Sequence, residues 1–168
     1  MNKYLIEPLN KNHNRTNFSC GIPELDEYLL NHANQYKKKG LAVTYVITKV
    51  NEVDVLGYYS LSSYGANVEQ LPDEIIKKLP RFPVLPATLL GRLAVSYELQ
   101  GENIGQHLLL SALESSYDLS KKLGSLGVVV DAINSRAVKF YKKYGFIEFP
   151  DNKDKLFISM KTISKLLN

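Results

Sequence analysis

The chain has 168 residues, of which 21 are Lys or Arg and 17 are Asp or Glu, so its formal net charge is +4. Because 45% of the residues are hydrophobic and 23% are charged, the chain can build a core, which excludes wholesale disorder and a collagen-like repeat. We expect a single domain over residues 1–168. A small positive excess favours anionic partners but does not by itself identify nucleic acid.

In chain order, the first predicted elements are a strand, a loop and a helix. Residues 4–6 indicate a short strand, and the polar residues 10–17 indicate a loop. From residue 22 apolar side chains recur at helical spacing, with Pro23 suited to the first turn. The helix ends in the densest basic cluster of the chain, which also suits the helix dipole without any ligand. This cluster consists of Lys37, Lys38 and Lys39.

The middle of the chain predicts a hairpin and a proline-rich segment. Residues 41–47 and 55–61 are rich in β-branched and aromatic side chains and should pair as an antiparallel hairpin. Residues 73–79 indicate a short helix. Prolines then crowd residues 80–86, which we expect to run extended.

The second half alternates strands and helices. Residues 88–95 predict a strand, a long amphipathic helix follows from residue 104, and the apolar residues 126–132 predict a strand buried on both faces. Residues 135–144 predict another helix, and residues 156–160 should close the chain as a last strand. Interspersed helices and strands indicate a mixed α/β fold.

Several classes of protein are excluded by the residues that are scarce. Cys20 is the only cysteine, so no intramolecular disulfide can form, and its neighbours favour packing over nucleophilic chemistry. The histidines are too scattered for zinc spacing, so we expect no metal site. The N-terminus lacks the apolar stretch of a signal peptide, and no stretch is long enough to cross a membrane. We expect a cytoplasmic protein.

The segment most indicative of chemistry is a strand, a glycine-rich turn and a helix start in residues 89–105. Backbone N–H groups at a helix N-terminus, approached through residues with small side chains, can bind a pyrophosphate. The same pattern also fits a tight turn whose glycines serve only steric needs. The segment is not a P-loop, because no Gly-Lys-Ser/Thr follows, and it is not a dinucleotide fingerprint, because the three-glycine spacing is absent.

Taken with residues 128–134 and 137–146, this turn resembles the acyl-CoA-binding core of the GNAT N-acetyltransferases. In that family the loop after the fourth strand reads Gln/Arg-x-x-Gly-x-Gly/Ala and binds the CoA pyrophosphate. Here Gln100 and Gly105 match, and Asn103 stands at the middle glycine. Asn tolerates a positive φ better than other side chains, so the turn remains feasible. The resemblance implies a mostly antiparallel, twisted central sheet flanked by helices.

The resemblance also implies the roles of individual residues. Tyr141 is the expected general acid toward the departing CoA thiolate, although a tyrosine on an apolar helical stripe is usually a core residue. Asn134 is expected to steady the pantetheine arm, and the neighbouring Phe140, a packing residue by its spacing, joins the cofactor site. The other expected acetyl-CoA contacts are Leu93, Ala94, Val95, Gln100, Gly101, Asn103, Ile104 and Gly105.

Five further segments extend the resemblance to one GNAT subfamily, the TacT-like toxins. They are residues 18–29, 57–61, 80–87, 90–95 and 156–160. The resemblance implies acetyl transfer to the amino group of aminoacyl-tRNA, a block of translation, and neutralisation by a ribbon-helix-helix antitoxin. It further implies a homodimer, and a toxin–antitoxin complex that binds operator DNA.

For a tRNA substrate, positive side chains are expected near the amine-acceptor cleft. The candidates are Arg92, Arg81, Lys37, Lys38 and Lys39, each of which could equally be a solvated surface charge. Two other functions stay open. One is a GNAT enzyme that acts on a small amine or a protein N-terminus, and the other is an acyl-CoA-binding module without catalysis.

Overall fold

The computed structural model describes residues 2–168. The strands are β1 (Tyr4–Pro8), β2 (Val43–Lys49), β3 (Gly57–Asn67), β4 (Val84–Val95), β5 (Gly127–Asp131), β6 (Ile147–Phe149) and β7 (Asn152–Ser159). The helices are α1 (Pro23–Glu27), α2 (Ala33–Lys38), α3 (Asp73–Ile76), α4 (Ile104–Ser120), α5 (Ser135–Lys143) and α6 (Met160–Leu167). A π-helical turn, Tyr28–His32, joins α1 to α2.

The strands of the described chain form one sheet in the order β1-β2-β3-β4-β5-β7-β6. β4 and β5 pair in parallel, whereas β1–β2, β2–β3, β5–β7 and β6–β7 pair antiparallel. The predicted mixed α/β fold with a mostly antiparallel sheet is therefore confirmed, as is the hairpin of β2 and β3. No helix within residues 2–168 has the length and apolarity to span a membrane.

Contacts within the chain divide it into two compact units. Unit 1 comprises the chain up to Ser62 together with Gly91–Ala112, and unit 2 comprises Ser63–Leu90 and Leu113–Asn168. β3, β4 and α4 contribute residues to both units. The expectation of a single domain over residues 1–168 stays a prediction.

Each unit has its own apolar core. One cluster of buried residues in unit 1 consists of Leu9, Cys20, Tyr28, Leu29, Ala33, Val46, Val55, Tyr58 and Ala94. One cluster in unit 2 consists of Ala66, Leu71, Ala87, Val129, Phe149 and Phe157. In unit 2 the middle of β5 is fully buried, as its apolar run predicted, and within the sheet β5 lies between β4 and β7.

The single helix predicted over residues 22–39 is interrupted. The N–H of Ala33 bonds to the carbonyl oxygen of Tyr28, five residues back, which makes one turn π-helical. The prediction was wrong here because it took His32 or Ala33 as the next apolar position. Ala33 is buried and His32 is exposed, so the buried stripe shifts by one residue at this turn.

The prediction that residues 156–160 close the chain was also wrong. β7 ends at Ser159, and α6 follows it directly. The Ser159 hydroxyl accepts a hydrogen bond from the N–H of Thr162 at 3.1 Å, which is an N-cap that stops the strand and starts the helix. Ile163 of α6 is buried in unit 2, which attaches this helix to the fold.

Other predicted bounds shift around the proline-rich segment. α3 stops at Ile76 instead of Leu79, and β3 continues to Asn67. β4 begins at Val84, so the end of the extended proline segment is already part of the sheet. Pro86 lacks an N–H, but its carbonyl oxygen accepts from the N–H of Leu126, so it still joins the sheet.

Candidate active site

The glycine-rich turn lies in unit 1, between the end of β4 and the start of α4. Its backbone has positive φ at Gly101 (93°) and at Asn103 (64°). Asn103 therefore adopts the left-handed conformation that the family pattern assigns to glycine, as its residue type allows. The N–H of His107 bonds to the Asn103 carbonyl oxygen at 3.1 Å, which makes Asn103 the residue from which α4 starts.

The first turn of α4 supplies backbone donors. The N–H groups of Ile104, Gly105 and Gln106 precede the first intrahelical bond, so their own helix cannot satisfy them. Ile104 is 1% exposed and anchors this turn in the core. α4 is 17 residues long, so a full helix dipole adds positive potential at these donors. The arrangement can bind an anion.

Gln100 connects this loop to the rest of unit 1. Its Nε2 donates to the carbonyl oxygens of Cys20 (3.1 Å) and Val95 (3.3 Å). Cys20 is itself fixed, since its N–H donates to Asp26 Oδ1 at 2.9 Å. The side-chain nitrogen of Gln100 is thus occupied by two protein carbonyls and fixes the loop to them.

Cys20 behaves as the sequence predicts for a packing residue. It is buried, and burial together with a hydrogen bond to Asp26 raises the pKa of its thiol to about 11. A thiol with this pKa is protonated near neutral pH and is a poor nucleophile.

The end of β4 carries the three residues expected along the pantetheine arm. Ala94 is buried in the unit 1 core, whereas Leu93 and Val95 are partly exposed. Gly57 of β3 lies close against this stretch. A Cβ atom at this position would come within 2.9 Å of the Ala94 carbonyl oxygen and of Leu108 Cδ1, so a larger residue would not fit without a shift. Sequence reasoning missed this close approach, although a glycine inside a predicted strand can indicate one.

The basic candidates differ in their surroundings. Arg92 is partly buried in unit 1, with its guanidinium carbon 3.7 Å from the centroid of the Tyr28 ring and 5.4 Å from that of Tyr36. Sequence reasoning did not find this contact. The other four side chains are exposed; Lys37, Lys38 and Lys39 belong to unit 1 and Arg81 to unit 2.

Unit 2 carries Asn134, Phe140 and Tyr141. Asn134 is the N-cap of α5, with its Oδ1 accepting from the Ala137 N–H at 2.8 Å. The Tyr141 ring lies 5.3 Å from the Phe140 ring and 5.2 Å from the Phe146 ring, between centroids. Tyr141 is only 7% exposed, and burial raises the pKa of its phenol. A buried phenol of this kind therefore stays protonated near neutral pH.

The sequence model of the family described as acetyltransferase (GNAT) domain matches residues 42–148, well over half of the chain. The chain belongs to the GNAT acetyltransferases. This matched segment contains the glycine-rich turn, the end of β4 and α5. The predicted family, and with it an acetyltransferase, is confirmed.

Two curated relatives of this GNAT protein are toxins. A probable toxin TacT of Sinorhizobium fredii is 28% identical over 173 residues, which span 98% of this chain and 96% of the relative. A tRNA-acetylating toxin of Mycobacterium tuberculosis is 31% identical over 152 residues, which span 90% of this chain and 89% of the relative. The resemblance to TacT-like toxins therefore extends along nearly the whole GNAT chain.

Solved structures agree with these relatives. A tyrosine-to-phenylalanine variant of KacT has a TM-score of 0.91, is 29% identical, and matches 98% of this chain and 99% of its own. AtaT complexed with acetyl-methionyl-tRNAfMet has a TM-score of 0.89 and is 30% identical, and the match covers 98% of this chain and 99% of AtaT. AtaTR bound with acetyl-CoA has a TM-score of 0.86, is 30% identical, and matches both chains completely.

Proposed function

We propose that this GNAT enzyme transfers the acetyl group of acetyl-CoA to the α-amino group of aminoacyl-tRNA and thereby blocks translation. The observation that carries the proposal is the 31% identity, over 90% of the chain, with a tRNA-acetylating toxin. The likeness to AtaT in complex with acetyl-methionyl-tRNA supports the same substrate.

The residues around the glycine-rich turn fit acetyl-CoA. The unpaired N–H groups at the start of α4 would receive the pyrophosphate, and the φ of Asn103 and the bonds of Gln100 hold these donors in place. The main chain of residues 93–95 would pair with the pantetheine arm as a further strand does. Gly101, Asn134 and Phe140 complete the set of residues that we assign to acetyl-CoA.

Tyr141 is proposed as the general acid. The α-amine nitrogen attacks the thioester carbonyl carbon, a C–N bond forms, and the C–S bond breaks. The departing CoA thiolate takes the phenolic proton of Tyr141, and the new amide nitrogen loses its proton to water. The Tyr141 phenolate then regains a proton from water, so the products are the amide and the free CoA thiol. An α-amine has a pKa of about 7.7 to 8.0 in the reference state, so a useful fraction is neutral near pH 7 without a dedicated base.

The tRNA is proposed to contact the basic side chains. Arg92 lies directly before the residues assigned to the pantetheine arm, and the exposed lysines at the end of α2 form the densest basic cluster. Arg81 is the candidate in unit 2. Each cation that neutralises a phosphate releases a counterion, so binding should weaken steeply with salt.

We also propose that an antitoxin neutralises this enzyme in the cytoplasm. AtaT has been solved with the C-terminus of its antitoxin AtaR, and KacTA with DNA. By this similarity the partner is a ribbon-helix-helix protein, the complex binds operator DNA, and the toxin is a homodimer. Growth arrest on expression of this chain, relieved by co-expression of the adjacent reading frame, tests the proposal.

The substrate is tested by offering three acceptor classes at equal amine concentration. These are charged tRNA, a small amine such as spermidine, and a peptide with a free N-terminus. We expect acetyl transfer to charged tRNA alone, with a rate that falls as salt is raised. Transfer to spermidine or to the peptide, but not to charged tRNA, would establish a GNAT enzyme that acts on a small amine or a protein N-terminus. Binding of acetyl-CoA without transfer to any acceptor would establish a non-catalytic module.

A further inference from the structure

The Arg92 side chain is held by two aromatic rings and by no acceptor. Its guanidinium carbon lies 3.7 Å from the centroid of the Tyr28 ring and 5.4 Å from that of the Tyr36 ring, and these two rings meet edge to face at 88°. Within residues 2–168, no hydrogen bond or ion pair engages the guanidinium. Ring contacts hold the face of a guanidinium and leave its N–H groups available at the edge.

The π-helical turn explains how two tyrosines eight residues apart share one face. Two turns of a regular α-helix take about seven residues, so residues eight apart would be offset around the axis. A π-helical turn takes up about one residue more, so that eight residues complete the two turns. Tyr28 and Tyr36 thereby come within 5.2 Å of each other, between ring centroids.

Two polar contacts stabilise this geometry. Arg15 Nη1 donates to the carbonyl oxygen of Leu29 at 2.9 Å and to that of Leu30 at 3.4 Å, both within the π-helical turn. The Tyr28 hydroxyl is hydrogen-bonded to the Thr44 hydroxyl at 3.1 Å, which fixes the ring under Arg92. The Arg15 side chain thus holds the π-helical turn, and Thr44 holds the Tyr28 ring.

Arg92 leaves the sheet on the face opposite α4. Arg92 and Ala94 lie two residues apart on β4 and so share one face, and Ala94 packs in the unit 1 core with Tyr28. α4 covers the other face, since Ser111 of α4 bonds to the Tyr59 hydroxyl while the preceding Tyr58 bonds to Leu25 of α1. The anion that Arg92 can bind is therefore distinct from the pyrophosphate expected at the α4 N-terminus.

We propose that Tyr28 and Tyr36, an aromatic bracket built by the π-helical turn, orient the Arg92 guanidinium toward a phosphate of the tRNA acceptor end. The inference rests on the proposed function and specifies its substrate contact. A guanidinium edge matches phosphate oxygens in a two-bond geometry, and an arginine that is already oriented loses less entropy on binding. Tyr36 and Arg15 are positioning residues in this scheme.

A double-mutant cycle of Tyr36 and Arg92 tests the bracket through binding of charged tRNA to the full-length chain, measured by fluorescence anisotropy. We expect Tyr36→Leu and Arg92→Gln each to weaken binding about tenfold, and the double variant to be no weaker than Arg92→Gln alone. Tyr36→Leu and Arg92→Gln should each make the plot of log K against log salt shallower, reducing the size of its negative slope by about one. Tyr36→Phe keeps the ring and should rescue binding.

The matched control is Tyr45→Leu, which removes a tyrosine ring stacked on Tyr59 at 5.0 Å, away from Arg92. It should leave the salt slope unchanged. If charged tRNA is acetylated but the effects of the two substitutions add independently, the bracket is wrong and the proposed function stands. If the wild-type chain neither binds nor acetylates charged tRNA, the proposed function fails and the phosphate assignment fails with it.

Discussion

Gln100 and Cys20, eighty positions apart in the sequence, are joined by a hydrogen bond of 3.1 Å from the Gln100 amide to the Cys20 carbonyl oxygen. A second bond from the same nitrogen reaches Val95, the last residue of β4. The loop that we assign to the CoA pyrophosphate is therefore fixed at its first residue by two separate segments of unit 1.

Removing this connection should weaken acetyl-CoA binding. Gln100→Ala leaves two carbonyls without their donor and lets the loop move, so we expect a loss of affinity of about three- to tenfold. Isothermal titration calorimetry with CoA measures it. Gln70→Ala, an exposed glutamine in unit 2, is the control and should bind as the wild type does. Equal affinity of the two variants would show that Gln100 does not hold the loop.

Asn103 and Asn51 form a natural matched pair, since both have positive φ, 64° and 67°. Alanine disfavours this conformation by about 1–2 kcal/mol, so both Asn→Ala variants should lose up to about 1 kcal/mol in free energy of unfolding. Only Asn103→Ala should also raise the KM for acetyl-CoA, and Asn103→Gly should restore it. Urea denaturation and initial rates measure the two effects. If Asn51→Ala also raised the KM for acetyl-CoA, the effect on KM would not be specific to Asn103.

Tyr141→Phe should abolish transfer without unfolding the chain. A general acid contributes about 10²–10⁴-fold, so kcat should fall at least a hundredfold while CoA still binds. Tyr144→Phe, in the same helix region but less buried, should retain kcat within about twofold. A Tyr141→Phe variant with wild-type kcat would remove Tyr141 from the mechanism.

The pH profile should reflect the burial of the same phenol. Burial raises the pKa of Tyr141, so the protonated form that donates persists above the ordinary phenol value of about 10. The single-turnover rate should rise as the α-amine loses its proton between about pH 7 and 8.5, and then stay level to about pH 9.5. An alkaline fall in that range would show that the phenol ionises there and would contradict the raised pKa.

Ser60 offers a stability test away from the assigned acetyl-CoA residues. Its hydroxyl is buried, and within residues 2–168 it has no hydrogen-bond partner. Ser60→Ala should therefore leave the free energy of unfolding unchanged within about 0.5 kcal/mol, or raise it. Thr44→Val, at the position paired with Ser60 across β2 and β3, should cost about 1 kcal/mol, because it leaves the Tyr28 hydroxyl unpaired. Equal losses in thermal denaturation would contradict this assignment.

Local chemistry in the sequence was enough for much of the fold. Three features depend only on residues that are close in the chain. They are the apolar run of β5, the hairpin of β2 and β3, and the positive φ that Asn103 can adopt. α6 was missed although Ser159 is a favourable N-cap residue, because the apolar run before it indicates a strand and not a helix.

The remaining features depend on distant contacts or on irregular backbone. Cys20, one of the two partners of Gln100, lies eighty residues away, so no local pattern shows this contact. The contact of Arg92 with Tyr36 requires the extra residue of the π-helical turn, and the Arg15 bonds that support this turn come from another segment. With regular α-helical spacing, Tyr36 would be offset around the helix axis from Tyr28.

Mass spectrometry of the aminoacyl-adenosine released by nuclease from charged tRNA tests the central claim most directly. After incubation with the full-length chain and acetyl-CoA, we expect the mass of one acetyl group on the α-amine, and none after incubation with the Tyr141→Phe variant. Unmodified aminoacyl-adenosine from every charged tRNA, while the same preparation binds acetyl-CoA, would contradict the account.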